Sequence, residues 1–347
     1  MPERPSVIDR TAFAERLAVV VLCPRCREPL HRDGQLLRCA SGHATDPTAE
    51  GYVDASQGVP EDSVTRRTFR SFGYEWTTFD AVEPEDEQFA ENYFRDLDLQ
   101  SLRGKTGLDA GCGKGRYTRF LAPHLGALIA LEGSAAVEAA ARNLSSLENV
   151  FVLKSDLRDA PIRSESLDFV SCLGVLHHLA DPEEGFRHLT GLLAPGGRML
   201  VYVYSAPAGR GARSFGLSLA ALLRRVTVRM PLRLLRRLSA PIAALLYVGV
   251  VAPGRLGEKR RIGSLERLPM ATYRGAPLRS LVLDTFDRLS APVEHRYRWS
   301  DLEPWFSHAG LVVESARDEA GWFVVARRPD RDEPAARSTG RQVRSSA

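Results

Sequence analysis

The chain is short of sulfur: five cysteines and four methionines in 347 residues. Five cysteines, three of them crowded between positions 23 and 39, cannot staple a disulfide-built domain. A thiol cluster of that kind suits a reducing, cytoplasmic setting. No charged start precedes an apolar core and cleavage site, so no secretion signal is expected. No uninterrupted apolar run reaches the ~20 residues of a membrane-spanning helix. The nearest, Ala240 to Ala252, is shorter and holds Pro241 and Gly249. There is no internal repeat. One absence is local: from Ser205 to Gly257 there is no Asp or Glu, while Arg210, Arg213, Arg224, Arg225, Arg229, Arg233, Arg236, Arg237 and Arg255 all fall there. The whole chain carries 47 basic against 43 acidic residues, a net charge of only +4, so that basicity belongs to one segment. Apolar and charged fractions are otherwise those of a soluble globular protein, long enough for one large domain or two to three smaller ones.

The cysteines present are patterned. Cys23 and Cys26 form C-x2-C; twelve residues later come Cys39 and, in a C-x3-H step, His43. A C-x2-C knuckle lets two thiolates face one ion, and a second pair closes a tetrahedron. Thiolates with imidazole favour zinc. Four protein ligands make such a site closed and structural. Leu30 to Arg38 between the pairs reads as a hairpin with Asp33-Gly34 at its turn. These four residues, followed by Gly51-Tyr52-Val53, resemble the zinc-binding region of the 23S ribosomal RNA guanine-N1 methyltransferases. The resemblance covers about the first sixth of the chain. In that family the ribbon helps hold RNA, whereas other ribbons of this kind are plain structural caps.

From Gly107 onward, strand and helix patterns alternate. Thr106 to Asp109 is a short apolar strand entering Gly111-Cys112-Gly113-Lys114-Gly115; Arg116 to Leu125 has helical spacing. Ala127 to Leu131 is a strand ending in Glu132, and Ala135 to Leu144 a helix opened by Ser134. Val150 to Leu153, Leu167 to Leu173 and Met199 to Tyr204 are further strands, and Asp181-Pro182-Glu183-Glu184 opens a helix with an acidic first turn. Alternation of this kind predicts an α/β, doubly wound, Rossmann-like parallel sheet with ligands beyond the carboxyl ends of its strands. Leu311 to Ser315 and Trp322 to Ala326 read as a closing antiparallel pair, after a helix from Ser300 to Ala309 capped by Gly310.

The glycine loop separates two cofactors. Dinucleotide binding wants G-x-G-x-x-G; here the third dinucleotide glycine is replaced by Arg116. An arginine there crowds a pyrophosphate, and S-adenosylmethionine has none. Glu132 stands where a carboxylate meets ribose hydroxyls, and Asp156 is placed for the adenine amino group. Leu108 to Gly115, Glu132, Asp156, Gly174-Val175-Leu176-His177-His178-Leu179 and Leu193-Ala194-Pro195-Gly196-Gly197, in that order, resemble class I S-adenosylmethionine-dependent methyltransferases of the type 11 subgroup. The resemblance covers about residues 104–204. It implies a seven-stranded sheet and cofactor contacts from Asp109, Gly111, Gly113, Gly115, Glu132, Asp156, Leu157, Leu173 and Gly174.

An oxygen or nitrogen acceptor benefits from a general base. His177 and His178 follow the fourth strand on the cofactor side, and either can serve or be purely structural; His295 and Tyr297 are secondary candidates. Around these motifs the expected organisation is a zinc ribbon over 1–58, an aromatic-rich lid or linker over 59–103, the cofactor core over 104–204, a basic helical insertion over 205–299, closing elements over 300–328 and a disordered tail over 329–347. Phe69, Phe72, Tyr74, Trp76, Phe79, Phe89, Tyr93 and Phe94 suit a lid or a helix on the sheet edge. In the insertion Leu232, Leu235, Leu238 and Ile242 share a helical face against Arg229, Arg233, Arg236 and Arg237. Such a helix reads as a substrate cap, a peripheral membrane-surface element at the inner face of the membrane, or a phosphate or nucleic-acid binder. The leading expectation is methyl transfer to an O, N or C acceptor on a small-molecule, sugar or lipid-like substrate. The alternatives are an rRNA base methyltransferase and a non-catalytic binding module. Oligomeric state is left open.

Overall fold

The computed structural model describes residues 10–33, 36–56, 58, 62–207, 209, 212–266, 268, 270, 273–319, 321–333 and 343–345. They divide into two compact units, residues 1–206 with 293–347, and residues 207–292.

The first unit opens with α1 (Arg10–Val20), the hairpin β1 (Leu30–Asp33) and β2 (Leu36–Cys39), and the short β3 (Val53–Asp54). Helices α2 (Ser63–Thr78) and α3 (Pro84–Phe94) carry the aromatic segment. Then follow β4 (Thr106–Ala110), α4 (Arg116–Leu121), β5 (Ala127–Glu132), α5 (Val137–Leu144), β6 (Val150–Lys154), β7 (Leu167–Leu173), α6 (Pro182–Leu192) and β8 (Leu193–Tyr204). The second unit holds α7 (Ala212–Thr227), α8 (Leu232–Leu246), α9 (Ala252–Arg260), α10 (Gly263–Glu266) and α11 (Leu278–Ser290). The chain returns through α12 (Trp299–His308), β9 (Val312–Asp318), β10 (Gly321–Arg327) and β11 (Val343–Ser345).

The main sheet runs β11-β9-β10-β8-β7-β4-β5-β6-β3. Its seven inner strands are the expected doubly wound set. Neighbours from β6 to β8 pair in parallel, and β10 is antiparallel to both β8 and β9. β3 and β11 add one parallel strand at each edge. Every residue of β4 and β5 is buried, as strands covered on both faces require. Leu128, Phe169, Leu173 and Leu200 point to the face covered by α3 and α4. Ile129, Leu131, Val170, Cys172, Met199 and Val201 point to the other, with α6, α12 and the ribbon. The chain order reverses between β4 and β7, which opens the cleft at their carboxyl ends.

Three details differ from the sequence reading. Pro123 converts the end of the first helix into a 3-10 turn, Ala122–His124, because proline crowds the preceding turn. The helix expected from Ala135 begins at Val137, although Ser134 Oγ still accepts from the Ala136 amide at 3.1 Å. The tail expected to be disordered from 329 is partly ordered. The Glu333 carboxylate accepts from Arg327 at 2.7 and 2.8 Å, and Val343–Ser345 pair with β9, so an ion pair and a free sheet edge each recruit part of it. The turn at Gly34 lies outside the described residues.

In the second unit α7 and α8 pack on α11, and Ala243, Val251 and Leu281 form the core. α8 continues through a π turn, Tyr247–Val251, into α9. Pro253 has no amide and crowds the carbonyl of Gly249, and the helix widens there instead of breaking. The uninterrupted apolar run stays short, broken by Arg233, Arg236, Arg237 and Arg255, but the helix that carries it is longer. Leu232–Arg260 form one helix of 29 residues, long and apolar enough to cross a membrane. Residues 293–299, expected in the insertion, run beside β8. The Tyr297 amide donates to the Tyr204 carbonyl at 3.0 Å, and the Ala206 amide to that of Tyr297 at 2.8 Å.

Candidate active site and metal centre

The glycine loop leaves β4 and turns tightly because three glycines take left-handed φ: Gly111 at 77°, Gly113 at 57° and Gly115 at 84°. A Cβ on Gly111 would come within 2.4 Å of Val175, and one on Gly113 within 3.3 Å of the Trp76 indole nitrogen. The Gly111 and Cys112 amides donate to the Leu131 carbonyl at 2.8 and 2.9 Å, tying the loop to β5. Glu132 then receives two amides: Gly113 N at 3.0 Å on Oε2 and Ser134 N at 2.8 Å on Oε1. Each oxygen keeps a lone pair for a ribose hydroxyl. The bare turn ending beside a buried carboxylate fits the nucleoside and amino-acid parts of S-adenosylmethionine.

The other expected contacts surround the same cleft. Asp109 faces inward: Thr118 Oγ1 donates to it at 2.6 Å and Ser171 Oγ at 2.9 Å, and burial raises its pKa. It braces the loop from beneath. Asp156 follows β6 and accepts from Arg158, through Nε at 3.1 Å and an Nη at 2.7 Å, so its carboxylate is already engaged by that guanidinium. Leu157 and Leu173 are buried, and Gly174 turns at φ 80° with its amide on the Tyr202 carbonyl.

The sequence reading missed how firmly α2 and α3 are bound to this cleft. A Cβ on Gly133 would meet the Phe69 ring at 2.4 Å, Trp76 lies over Gly113, and Phe72 stands 4.8 Å from the His178 ring. Arg158 reaches Thr65 at the start of α2 at 3.1 Å. α2 thus touches the loops after β4, β5, β6 and β7. Lys114, inside the glycine loop, is buried; its Nζ lies 3.0 Å from Asp86 and donates to the Ala81 carbonyl at 2.6 Å. Arg116 also reaches Asp86 at 3.4 Å and lies over the Trp76 and Tyr117 rings. Burial raises the pKa of Asp86, while Arg116, the Glu83 amide and Lys114 lower it, and the lowering prevails. The signal available in the sequence was two cations in the loop facing an acidic helix start, Glu85-Asp86-Glu87.

His177 and His178 sit in the 3-10 turn after β7 and are both buried. His178 Nδ1 lies 2.8 Å from the Val293 carbonyl, which can only accept, so Nδ1 is the donor of that bond. His177 lies over Tyr204 with ring centroids 4.0 Å apart, and among the described residues neither of its nitrogens has a hydrogen-bond partner. Burial, then the neighbouring His178, Arg296 and His295, press its pKa well below the ordinary value, so its imidazole is neutral. His295 Nε2 lies 3.2 Å from the Leu179 carbonyl and buttresses the turn. Burial pushes the Tyr297 phenol up, which disfavours a phenolate base.

At the N-terminus, the ligand atoms of Cys23, Cys26, Cys39 and His43 all lie within 4.8 Å of one another. His43 Nδ1 is 3.7 Å from Cys23 Sγ and 3.5 Å from Cys39 Sγ. Two soft thiolates from a knuckle with a third thiolate and an imidazole fit zinc. The ribbon is welded to the core. Cys23, Leu30, Leu37 and Cys39 share one apolar cluster with Leu157 and Ile162, and Arg27 pairs with Asp159 at 2.9 Å.

Residues 108–201 match a family described as a methyltransferase domain, and residues 21–55 match the zinc ribbon described as RlmA, N-terminal. An uncharacterised protein of Synechococcus sp. is 36% identical over 105 residues, 28% of this chain and 25% of that protein. The ubiquinone biosynthesis O-methyltransferase of Coxiella burnetii is 27% identical over 101 residues, 28% of this chain and 43% of that one. The tRNA U34 carboxymethyltransferase of Methylococcus capsulatus is 31% identical over 118 residues, 32% of this chain and 36% of that one. The matches thus span less than half of each of these relatives. Sheet order, glycine loop and family match agree: residues 108–201 form a class I S-adenosylmethionine-dependent methyltransferase domain, carried behind an N-terminal zinc ribbon.

Proposed function

We propose that the chain transfers a methyl group from S-adenosylmethionine to an oxygen, nitrogen or carbon acceptor on a small-molecule, sugar or lipid-like substrate. Bound S-adenosylmethionine supplies an electrophilic sulfonium methyl. The protein has to align the acceptor, exclude water and take up a proton. His178 is the proposed general base, and the observation that carries it is the Val293 carbonyl on its Nδ1. A base oriented by a third group presents its other nitrogen to the acceptor proton. His177, neutral and without a partner among the described residues, is the proposed second polar contact for the acceptor. Gly111, Gly113, Gly115, Glu132, Asp156, Leu157, Leu173 and Gly174 are the proposed cofactor residues, with Asp109 bracing them. A reducing, cytoplasmic setting keeps the ribbon thiols free for zinc.

The relative acting on tRNA and the ribbon match favour a second reading, methylation of an RNA base. The ribbon's own charges weigh against it. Arg27 is paired with Asp159, and Arg38 with Asp33 and the Gly42 carbonyl, so two of the ribbon's four arginines are already held by protein groups, and the ribbon is only weakly basic. A non-catalytic binding module that keeps the fold as a scaffold is disfavoured by the intact glycine loop, Glu132 and Asp156. Transfer of radiolabelled methyl from the cofactor into fractionated cell extract tests the proposal. Label in small metabolites or lipid supports it, label in RNA reverses the acceptor class, and a cofactor that fails to bind in calorimetry removes the enzymatic reading.

A further inference from the structure

The second unit turns apolar surface outward on two helices. On α7, Phe215, Leu219, Leu222, Leu223 and Val226 are all exposed, Phe215 at 72%. They recur at i, i+4, i+7, i+8 and i+11, which is one helical face. The opposite face is the inner one: Arg224 Nε donates to the Arg288 carbonyl at 2.9 Å and Thr227 Oγ1 to that of Leu289 at 2.6 Å. α8 repeats the arrangement. Leu235, Ser239 and Ala243 are buried, while Leu234, Leu238, Leu245 and, one turn on, Val248 are exposed, the last two at 74% and 70%. Of the residues that share one helical face in the sequence, Leu235 is buried and Leu238 is outside, and the small Ser239 and Ala243 let α8 approach α11 closely.

Apolar stripes of this size on a soluble surface mark a contact site, and their rim says which kind. Arg225 borders the α7 stripe, and Arg233 and Arg237 border that of α8. Arg229 lies in the short link between the helices, and no acid interrupts Ser205 to Gly257. Leucine and phenylalanine flanked only by arginine is the chemistry of an interfacial helix on an anionic bilayer. A protein partner of ordinary composition would demand some acidic residues for its own cations, and a nucleic acid has no use for the apolar stripes.

We infer that the outward faces of α7 and α8 dock the protein on the surface of an anionic membrane, with the leucine and phenylalanine side chains in the acyl boundary and the flanking arginines at the headgroups. The helix from Leu232 to Arg260 has the length to cross, yet it lies on the surface. Its inner face is packed on α11, which carries Arg279, Asp284, Asp287 and Arg288, and crossing would carry those charges into hydrocarbon. Docking of this kind does not depend on which acceptor is methylated.

Flotation of the full-length protein with phosphatidylcholine vesicles, with and without phosphatidylglycerol, tests the inference. Binding is expected to the anionic vesicles, to weaken with salt, and to be released by alkaline carbonate. The pairs Phe215→Asp with Leu222→Asp, and Leu245→Asp with Val248→Asp, should each lower partitioning by about tenfold or more. Arg233→Gln with Arg237→Gln should remove much of the salt dependence. Cofactor binding by calorimetry should be unchanged in all of them, which separates this outcome from failure of the methyltransferase reading. Three results would overturn it: no partitioning into either vesicle, a lipid-free dimer that the same aspartate variants dissolve in light scattering, or retention on RNA with none on vesicles.

Discussion

Lys114, inside the cofactor loop, and Asp86, in the first turn of α3, lie 3.0 Å apart and are both buried. The loop and the helical segment over it are therefore joined through a desolvated ion pair that Arg116 also enters. Removing one partner of a buried pair leaves the other charge uncompensated. Asp86→Ala is expected to lower stability by ~3–5 kcal/mol. Chemical denaturation with the slope held constant measures it, and a loss below ~1 kcal/mol would show that the pair is solvated in solution.

Glu132 gathers the Gly113 and Ser134 amides before any ligand arrives. Glu132→Ala removes two hydrogen bonds to a charged acceptor, each worth roughly 1.5–3 kcal/mol, and the proposed ribose contacts with them. S-adenosylmethionine affinity should fall by about 100-fold or more, read by calorimetry. Glu132→Asp should retain part of it. Unchanged affinity in the alanine variant would place the ribose elsewhere.

The two histidines should separate kinetically. His178→Ala is expected to lower kcat by roughly 10²–10⁴-fold, as loss of a general base does. His177→Ala should act more on KM. A kcat unaltered in the His178 variant would remove the base assignment.

Burial depresses the pKa of His177 below its ordinary 6.5. Below that value the unfolded chain takes up a proton that the folded chain refuses. The contribution to stability is fully present above pH 6.5 and is lost as pH falls toward the lower folded value. Thermal melts of wild type and His177→Gln between pH 7 and 5 should therefore converge as pH falls. Parallel curves would contradict a depressed pKa.

Chelation of zinc should do more than loosen the N-terminus. Cys23 and Cys39 share an apolar cluster with Leu157 and Ile162, beside the proposed adenine end of the cleft. Apo-protein and Cys39→Ser are expected to melt lower and to bind S-adenosylmethionine more weakly, because ligand coordination and folding of such a site are one process. A metal-free protein with unchanged cofactor affinity would show the ribbon to be independent of the core.

Much of this was written locally in the chain. The glycine spacing of 111, 113 and 115, the acids closing β5 and β6, and the C-x2-C and C-x3-H steps each depend on neighbours within one turn or strand. Backbone conformation and ligand spacing are set over such distances, so the donor, the metal and the order of strands could be read. What lay beyond was decided by contacts between residues far apart in sequence. That α2 would lie across four strand ends, that Asp86 would take Lys114 and Arg116, and that the Val293 carbonyl would accept from His178 depend on where the folded chain returns. The insertion shows the same limit: its period of apolar residues established a helix, and only packing on α11 decided which face of that helix was left outside.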